Sequence, residues 1–339
     1  MEIDLRSDTV TRPTPAMLKY MFNARVGDDV FNEDPTIKEL EKKAAAIFGK
    51  EAGLYCPSGT MTNQIAIKVH TQPGDELLCD VTAHVYNYEG GGISFNSGVQ
   101  AKLIPGDNGR FTAKQVEEHL HPDADWLPRT SLVTIENTSN RGGGTYYQIK
   151  NVKEIGQVCK RHKLNFHLDG ARIFNALAET KENPKEYGKT CDSISICLSK
   201  GLGAPVGSVL IGNAEFIDRA RRIRKLFGGG MRQAGYLAAA GIYALDNNIK
   251  RLKEDHQRAK HMAKILVKKS YVSHILPVET NIIIFSLDKS MPAEKFTSAL
   301  KKENILVSTM GNNTLRMVTH LDFNDKMMKI VETALNKIK

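Results

Sequence analysis

The sequence predicts an α/β protein with a large, mostly parallel sheet covered by helices on both faces, followed by a smaller C-terminal α+β domain. Three observations carry this reading. From about residue 35, short apolar runs alternate with helical periods, the pattern of strands buried on both faces and joined by helical crossovers. The 339 residues, 41% hydrophobic and 25% charged, suffice for two domains of ordinary globular composition. Beyond about Asp246 the alternation gives way to a long basic helix and a different order of elements, which divides the chain into 1–249 and 250–339.

Taken in order, Asp34-Pro35 opens a helix with Ile37, Leu40, Ala44 and Ile47 on one face and Gly49 at its stop. GLYCPSGT reads as a strand, a turn and a helix start, followed by DELLCDV, SLVTIENT, a helix over about 152–162, LNFHLDGA and SISICLSKG. The C-terminal part holds the basic helix, TNIIIFSL, a helix through Phe296 and Leu300, ILVST, LRMVTH and a last helix. No repeat or low-complexity tract interrupts the series.

The net charge of +9 is spread over the chain. Its densest runs, 219–225 and 250–269, are mixed with acidic residues on amphipathic helices, the pattern of solvated faces rather than of a nucleic-acid stripe. No stretch is apolar enough to span a bilayer, and MEIDLRSDTV lacks the apolar core of a signal peptide. The five cysteines form no C-x-x-C pair, which suits reduced thiols in a cytoplasm and no metal site.

Five stretches carry chemistry. In ISICLSKGLGAPVGS an alternating strand ends at Lys200; a lysine there is costly unless paired, neutral or covalently modified. HLDGARIFNA sets Asp169 after a strand and Arg172 three residues on, at the strand edge where α/β proteins bind ligands; Asp-Gly is also a common turn pair. PSGTMTN places Ser58, Gly59 and Thr60 at a helix start, which serves either as a phosphate cradle or as a plain N-cap. GGGMRQAG brings Arg232 to another helix start, as a phosphate contact or a simple linker, and His84 sits in a loop after a short strand, where it could stack on a cofactor ring. A lysine and an aspartate at two strand ends with a phosphate cradle match pyridoxal 5'-phosphate chemistry: lysine as Schiff base, aspartate on the pyridinium nitrogen, phosphate at a helix N-terminus.

DLRSDTVT (4–11), VGDDVFNEDPT (26–36), PSGTMTNQ (57–64), HLDGARIFNA (167–176), LSKGLGAPVGS (198–208), GGGMRQAG (228–235) and LRMVTH (315–320) together resemble the low-specificity L-threonine aldolases, from about residue 3 to residue 335. The resemblance implies the aspartate-aminotransferase-type fold (fold type I of the pyridoxal-phosphate enzymes), a tetramer of two tight dimers, and cleavage of L-threonine or L-allo-threonine to glycine and acetaldehyde. It makes Lys200 the Schiff-base lysine and Asp169 the pyridinium partner. Ser58, Gly59 and Thr60 would hold the phosphate, with Arg232 reaching in from a neighbouring subunit, and His84 would stack on the ring. Ser7, Arg172 and Arg316 would clamp the substrate carboxylate, and Tyr88 would line the pocket for the β-substituent.

The chain departs from the family in two places. Where members commonly read HFPRT and ENTHN, it has WLPRT and ENTSN, so Trp126 and Ser139 replace two histidines. The first histidine is thought to touch the substrate hydroxyl. An indole N–H only donates, so a water on His84 becomes the candidate base, with His119 and His121 as nearby substitutes. Trp126 would wall the pocket and favour bulkier or aromatic β-substituents. A pyridoxal-phosphate lyase for such substrates and a catalytically weak cofactor-binding protein are the alternatives.

Overall fold

A computed structural model describes residues 2–338. Seven strands form the main sheet: β1 (Ala52–Cys56), β2 (Glu76–Asp80), β3 (Gln100–Ile104), β4 (Thr130–Glu136), β5 (Asn165–Gly170), β6 (Ser193–Cys197) and β7 (Ser208–Gly212). They lie in the order β3-β2-β4-β5-β6-β7-β1. All neighbouring pairs from β3 to β6 are parallel, while β7 runs antiparallel to both β6 and β1. Six strands therefore point one way, and the start of β7 lies at the same edge as their ends. Every residue of β2, β6 and β7 is buried, as a sheet covered on both faces requires.

Local chemistry sets the flanking helices. Asp34 caps the helix Pro35–Phe48 by accepting from Thr36 and Ile37 N–H at 3.0 Å each, Pro35 takes the first turn, and Gly49 closes it at φ +66°. That is the helix expected from the sequence. The expected helix near 152–162 spans Ile149–Arg161. Two strands went unread: β3, an edge strand with one buried residue, and β7, which comes after the Gly/Pro-rich loop beyond Lys200.

Beyond the helix Gly235–Asn247 the chain builds a second, antiparallel sheet from β8 (Val272–Ile275), β9 (Ile282–Leu287), β10 (Ser308–Thr309) and β11 (Thr314–Val318). The helix Leu252–Leu266 starts against the main core through Leu252 and ends in a second apolar cluster through Met262 and Leu266. Ile3 and Leu5, grouped by the sequence reading with residues 1–249, pack in that second cluster. Ile3–Asp4 pairs in parallel with Ile305–Leu306. The N-terminal segment thus crosses to the C-terminal core and carries Ser7 and Asp8 to the junction.

Candidate active site

Parallel strands bring the turns at their C-terminal ends to one edge of the sheet. There a cleft of about 360 Å³ is lined by Lys200 after β6, Asp169 and Arg172 from β5 and its turn, His84 and Tyr88 after β2, Glu136 at the end of β4, Ser7 from the N-terminal segment and Arg316 from β11. Six of these eight residues stand at the ends of parallel strands and meet because the strand directions agree, while Ser7 and Arg316, 309 positions apart, come from the N-terminal segment and the second sheet.

Asp169 is buried. Its Oδ2 accepts from Asn63 Nδ2 at 2.9 Å and its Oδ1 from the Ala171 N–H at 3.1 Å. Asn63 also donates to Glu89 Oε1 at 2.8 Å. The same Glu89 oxygen lies 2.9 Å from His84 Nδ1, and because a carboxylate only accepts, Nδ1 carries the proton. Burial works against charge on His84, but the hydrogen bond to Glu89 and the carboxylates of Asp169 and Glu136 raise it above the ordinary histidine value. Burial, reinforced by the charge of Asp169, pushes the Glu136 carboxyl up as well. The rings of His84 and Tyr88 sit 5.6 Å apart at 40°.

The expected carboxylate clamp is only partly available. Arg172 Nε and Nη2 both donate to Asp8 at 2.7 Å, so two of its three nitrogens are committed to a buried partner. Although burial opposes its charge, Asp8 is held far below the usual carboxylate range by Arg172. Arg316 also has two nitrogens engaged, but by neutral oxygens rather than by a carboxylate. Its Nη1 donates to Asn140 Oδ1 at 2.9 Å and its Nη2 to the Arg6 carbonyl at 3.1 Å, while its buried Nε has no partner among the described residues. Burial and the neighbouring Arg172 lower its value. Ser7 accepts from the Thr9 N–H at 3.2 Å and lines the cleft.

The helix Gly59–His70 begins beside the same edge. Ser58 caps it by accepting from Met61 N–H at 3.2 Å, which leaves the first-turn N–H groups of Gly59 and Thr60 without intrahelical acceptors. A Cβ on Gly59 would approach Ser208 Oγ to 3.5 Å, and that buried hydroxyl has no partner among the described residues. Two N–H groups and an unsatisfied hydroxyl around a position kept open by glycine fit a phosphate. Together with Lys200 and Asp169 they fit pyridoxal phosphate.

Two expected residues lie elsewhere in the chain. Arg232 Nη1 donates to Asp28 Oδ2 at 2.9 Å, with its guanidinium 5.9 Å from the Phe31 ring centroid, away from the cleft. Trp126, expected to wall the pocket, is 81% exposed four residues before β4 starts, so the length of that strand separates it from the edge where Glu136 sits. His119 binds the Gln115 carbonyl at 2.7 Å, and His121 lies 3.4 Å from Glu76 at the start of β2, so neither substitutes within one protomer. Ser139 bonds the Gly142 N–H at 3.1 Å in a buried turn. Sequence reasoning missed Asp8, Glu89, Glu136, Asn140 and Ser208. Asp8, Glu136, Asn140 and Ser208 stood within quoted stretches, but only the fold shows what any of the five meets.

This arrangement, with one antiparallel strand in a parallel sheet and a lysine and an aspartate on adjoining strand ends, defines the fold-type I class of pyridoxal-phosphate enzymes. A threonine aldolase structure from Leishmania major superposes with a TM-score of 0.85 over 99% of each chain at 20% identity. The model of the family "Beta-eliminating lyase" matches residues 4–290. The low specificity L-threonine aldolase of Escherichia coli K12 is 42% identical over 96% of each chain. Low-specificity L-threonine aldolase 1 of Arabidopsis thaliana is 40% identical over 94% of this chain and 91% of its own. The chain belongs to the low-specificity L-threonine aldolases, carbon–carbon lyases within the beta-eliminating lyase family.

Proposed function

We propose that this chain, with pyridoxal phosphate bound in the cleft, cleaves L-threonine and L-allo-threonine to glycine and acetaldehyde. The observation that carries the proposal is the meeting of Lys200, Asp169 and Arg316 at one sheet edge beside the open helix start at Gly59. Bound there, the cofactor would supply an electron sink for the pair released as the Cα–Cβ bond breaks. Lys200 would hold the cofactor covalently, Asp169 would face its ring nitrogen, and Gly59, Thr60 and Ser208 would take its phosphate. Arg316, with Ser7, would fix the substrate carboxylate through charge-assisted hydrogen bonds. The proton of the β-hydroxyl would pass to His84 Nε2, or to a water on it, since Nδ1 is engaged by Glu89.

A preference for bulky β-substituents rested on Trp126 walling the pocket. With Trp126 outside the cleft of its own protomer, that argument lapses within one chain.

The active unit is a homo-oligomer, a dimer or a tetramer of two dimers, in which Arg232 serves a neighbour's phosphate. Exposed Phe31, whose ring centroid lies 5.9 Å from the Arg232 guanidinium, and exposed Leu226 and Tyr236, on either side of Arg232 in the sequence, support a second copy docking there. Residues 250–339, joined by Ile3 and Leu5, form the smaller domain. Five buried cysteines without disulfides suit a reducing cytoplasm, and no helix among the described residues is long and apolar enough to cross a membrane.

The test is optical. Purified protein incubated with pyridoxal phosphate is expected to show a visible absorption band that borohydride abolishes and that Lys200→Ala never develops. Protein that stays colourless would overturn the cofactor assignment.

A further inference from the structure

A file of hydrogen bonds runs into the site from the opposite edge of the sheet. His70, the last residue of the helix Gly59–His70, places Nε2 2.8 Å from Ser193 Oγ at the start of β6. The same hydroxyl lies 2.8 Å from His167 Nδ1 on β5. His167 Nε2 lies 3.2 Å from Asn63 Oδ1, and Asn63 Nδ2 donates to both Asp169 and Glu89. Ser193, His167, Asn63, Asp169 and Glu89 are all buried.

Donor and acceptor rules give every link one direction. Two carboxylates can only accept, so the Asn63 nitrogen faces them and its oxygen faces His167. His167 Nε2 must then carry a proton. Burial pushes His167 down to about 4 and His70 down to about 3, so both rings are neutral at pH 7. His167 Nδ1 therefore accepts from the Ser193 hydroxyl, and Ser193 accepts from His70 Nε2–H. Each hydrogen bond points toward the carboxylates, an order in which neighbouring links polarise one another.

We propose that His167, acting through Asn63, is a positioning residue for Asp169: the one-way file locks the Asn63 amide with its two N–H groups on Asp169 and Glu89, holding the Asp169 carboxylate oriented for the cofactor ring nitrogen. This rests on the proposed binding of pyridoxal phosphate in the cleft. His167 touches neither the cleft nor a substrate; what it adds is a hydrogen bond to the oxygen of an amide whose nitrogen the two carboxylates hold.

The file is tested by the tautomer of His167 in protein without cofactor, read from long-range nitrogen–proton correlations after histidine labelling. Neutral imidazole protonated at Nε2 is expected at pH 7; an Nδ1–H form or an imidazolium would overturn the proposal. Cofactor titration of variants gives a second readout. His167→Leu is expected to bind pyridoxal phosphate about 5-fold more weakly, the worth of one net hydrogen bond, whereas His167→Gln, whose amide N–H can stand in for Nε2–H, should return most of the affinity. A folded His167→Leu with wild-type affinity would contradict the proposal, and if that variant does not fold, the tautomer decides. Wild-type protein that binds no cofactor at all would instead overturn the reading on which the file's purpose depends.

Discussion

Arg316 and Arg172 looked interchangeable as sequence letters, and the structure separates them. Arg172 is consumed by a bidentate pair with the Asp8 carboxylate, a partner 164 positions away, whereas Arg316 lines the cleft and donates only to neutral oxygens of Asn140 and Arg6. Arg316→Ala should therefore raise the KM for threonine by about 10- to 150-fold, the value of a charged hydrogen bond, and leave the cofactor's absorption unchanged. Loss of cofactor in that variant would assign Arg316 to the cofactor instead. Arg172→Ala would leave Asp8 buried and unpaired, so its dominant expected effect is on folding. Lys200, Asp169 and the Ser58–Thr60 turn were legible because each stands where an element ends. Glu89 and Glu136 were not, because a buried carboxylate looks like any surface acid until the fold supplies its donors.

At the scale of elements, the strand-and-turn signals found five of the six strands that share one direction in the main sheet and the helix Pro35–Phe48, where capping and periodicity agree. They failed at β3, whose edge position leaves too little apolar pattern, and at β7, which a glycine-rich loop introduces. The seam between the helix Gly59–His70 and strands β5 and β6 has a pH signature. His70 and His167 are held below the ordinary histidine value of 6.5, chiefly by burial, so on acidification the unfolded chain binds protons before the folded one. The stability they contribute is present above about 6.5 and is lost as pH falls toward about 4 and about 3. The slope is about 1.4 kcal/mol per pH unit for each ring. His84 has the opposite sign: its raised value adds stability below about 6.5 that is lost as pH rises through that raised value. The urea midpoint should therefore fall between pH 7 and pH 5, and a midpoint that holds or rises would contradict the neutral-histidine seam.

For the whole molecule, the sequence signalled two regions of different pattern, but not that the N-terminal segment packs into the C-terminal core, because two short apolar residues carry no address. Nor could it show that Trp126 stands outside its own protomer's cleft, whereas for Arg232 the family resemblance already implied a place outside it. If Arg232 serves a neighbour's phosphate, as proposed, sedimentation under assay conditions is expected to find activity in a dimer or tetramer. A fully active monomer would exclude the shared site.

The most direct measurement of the central claim is the product balance from L-threonine. Holoenzyme is expected to release glycine and acetaldehyde in equal amounts, with no ammonia, and Lys200→Ala to release neither. Ammonia with 2-oxobutanoate in place of glycine would mean that the site eliminates the β-hydroxyl rather than cleaving the Cα–Cβ bond, and undiminished glycine release by Lys200→Ala would remove the lysine from the chemistry.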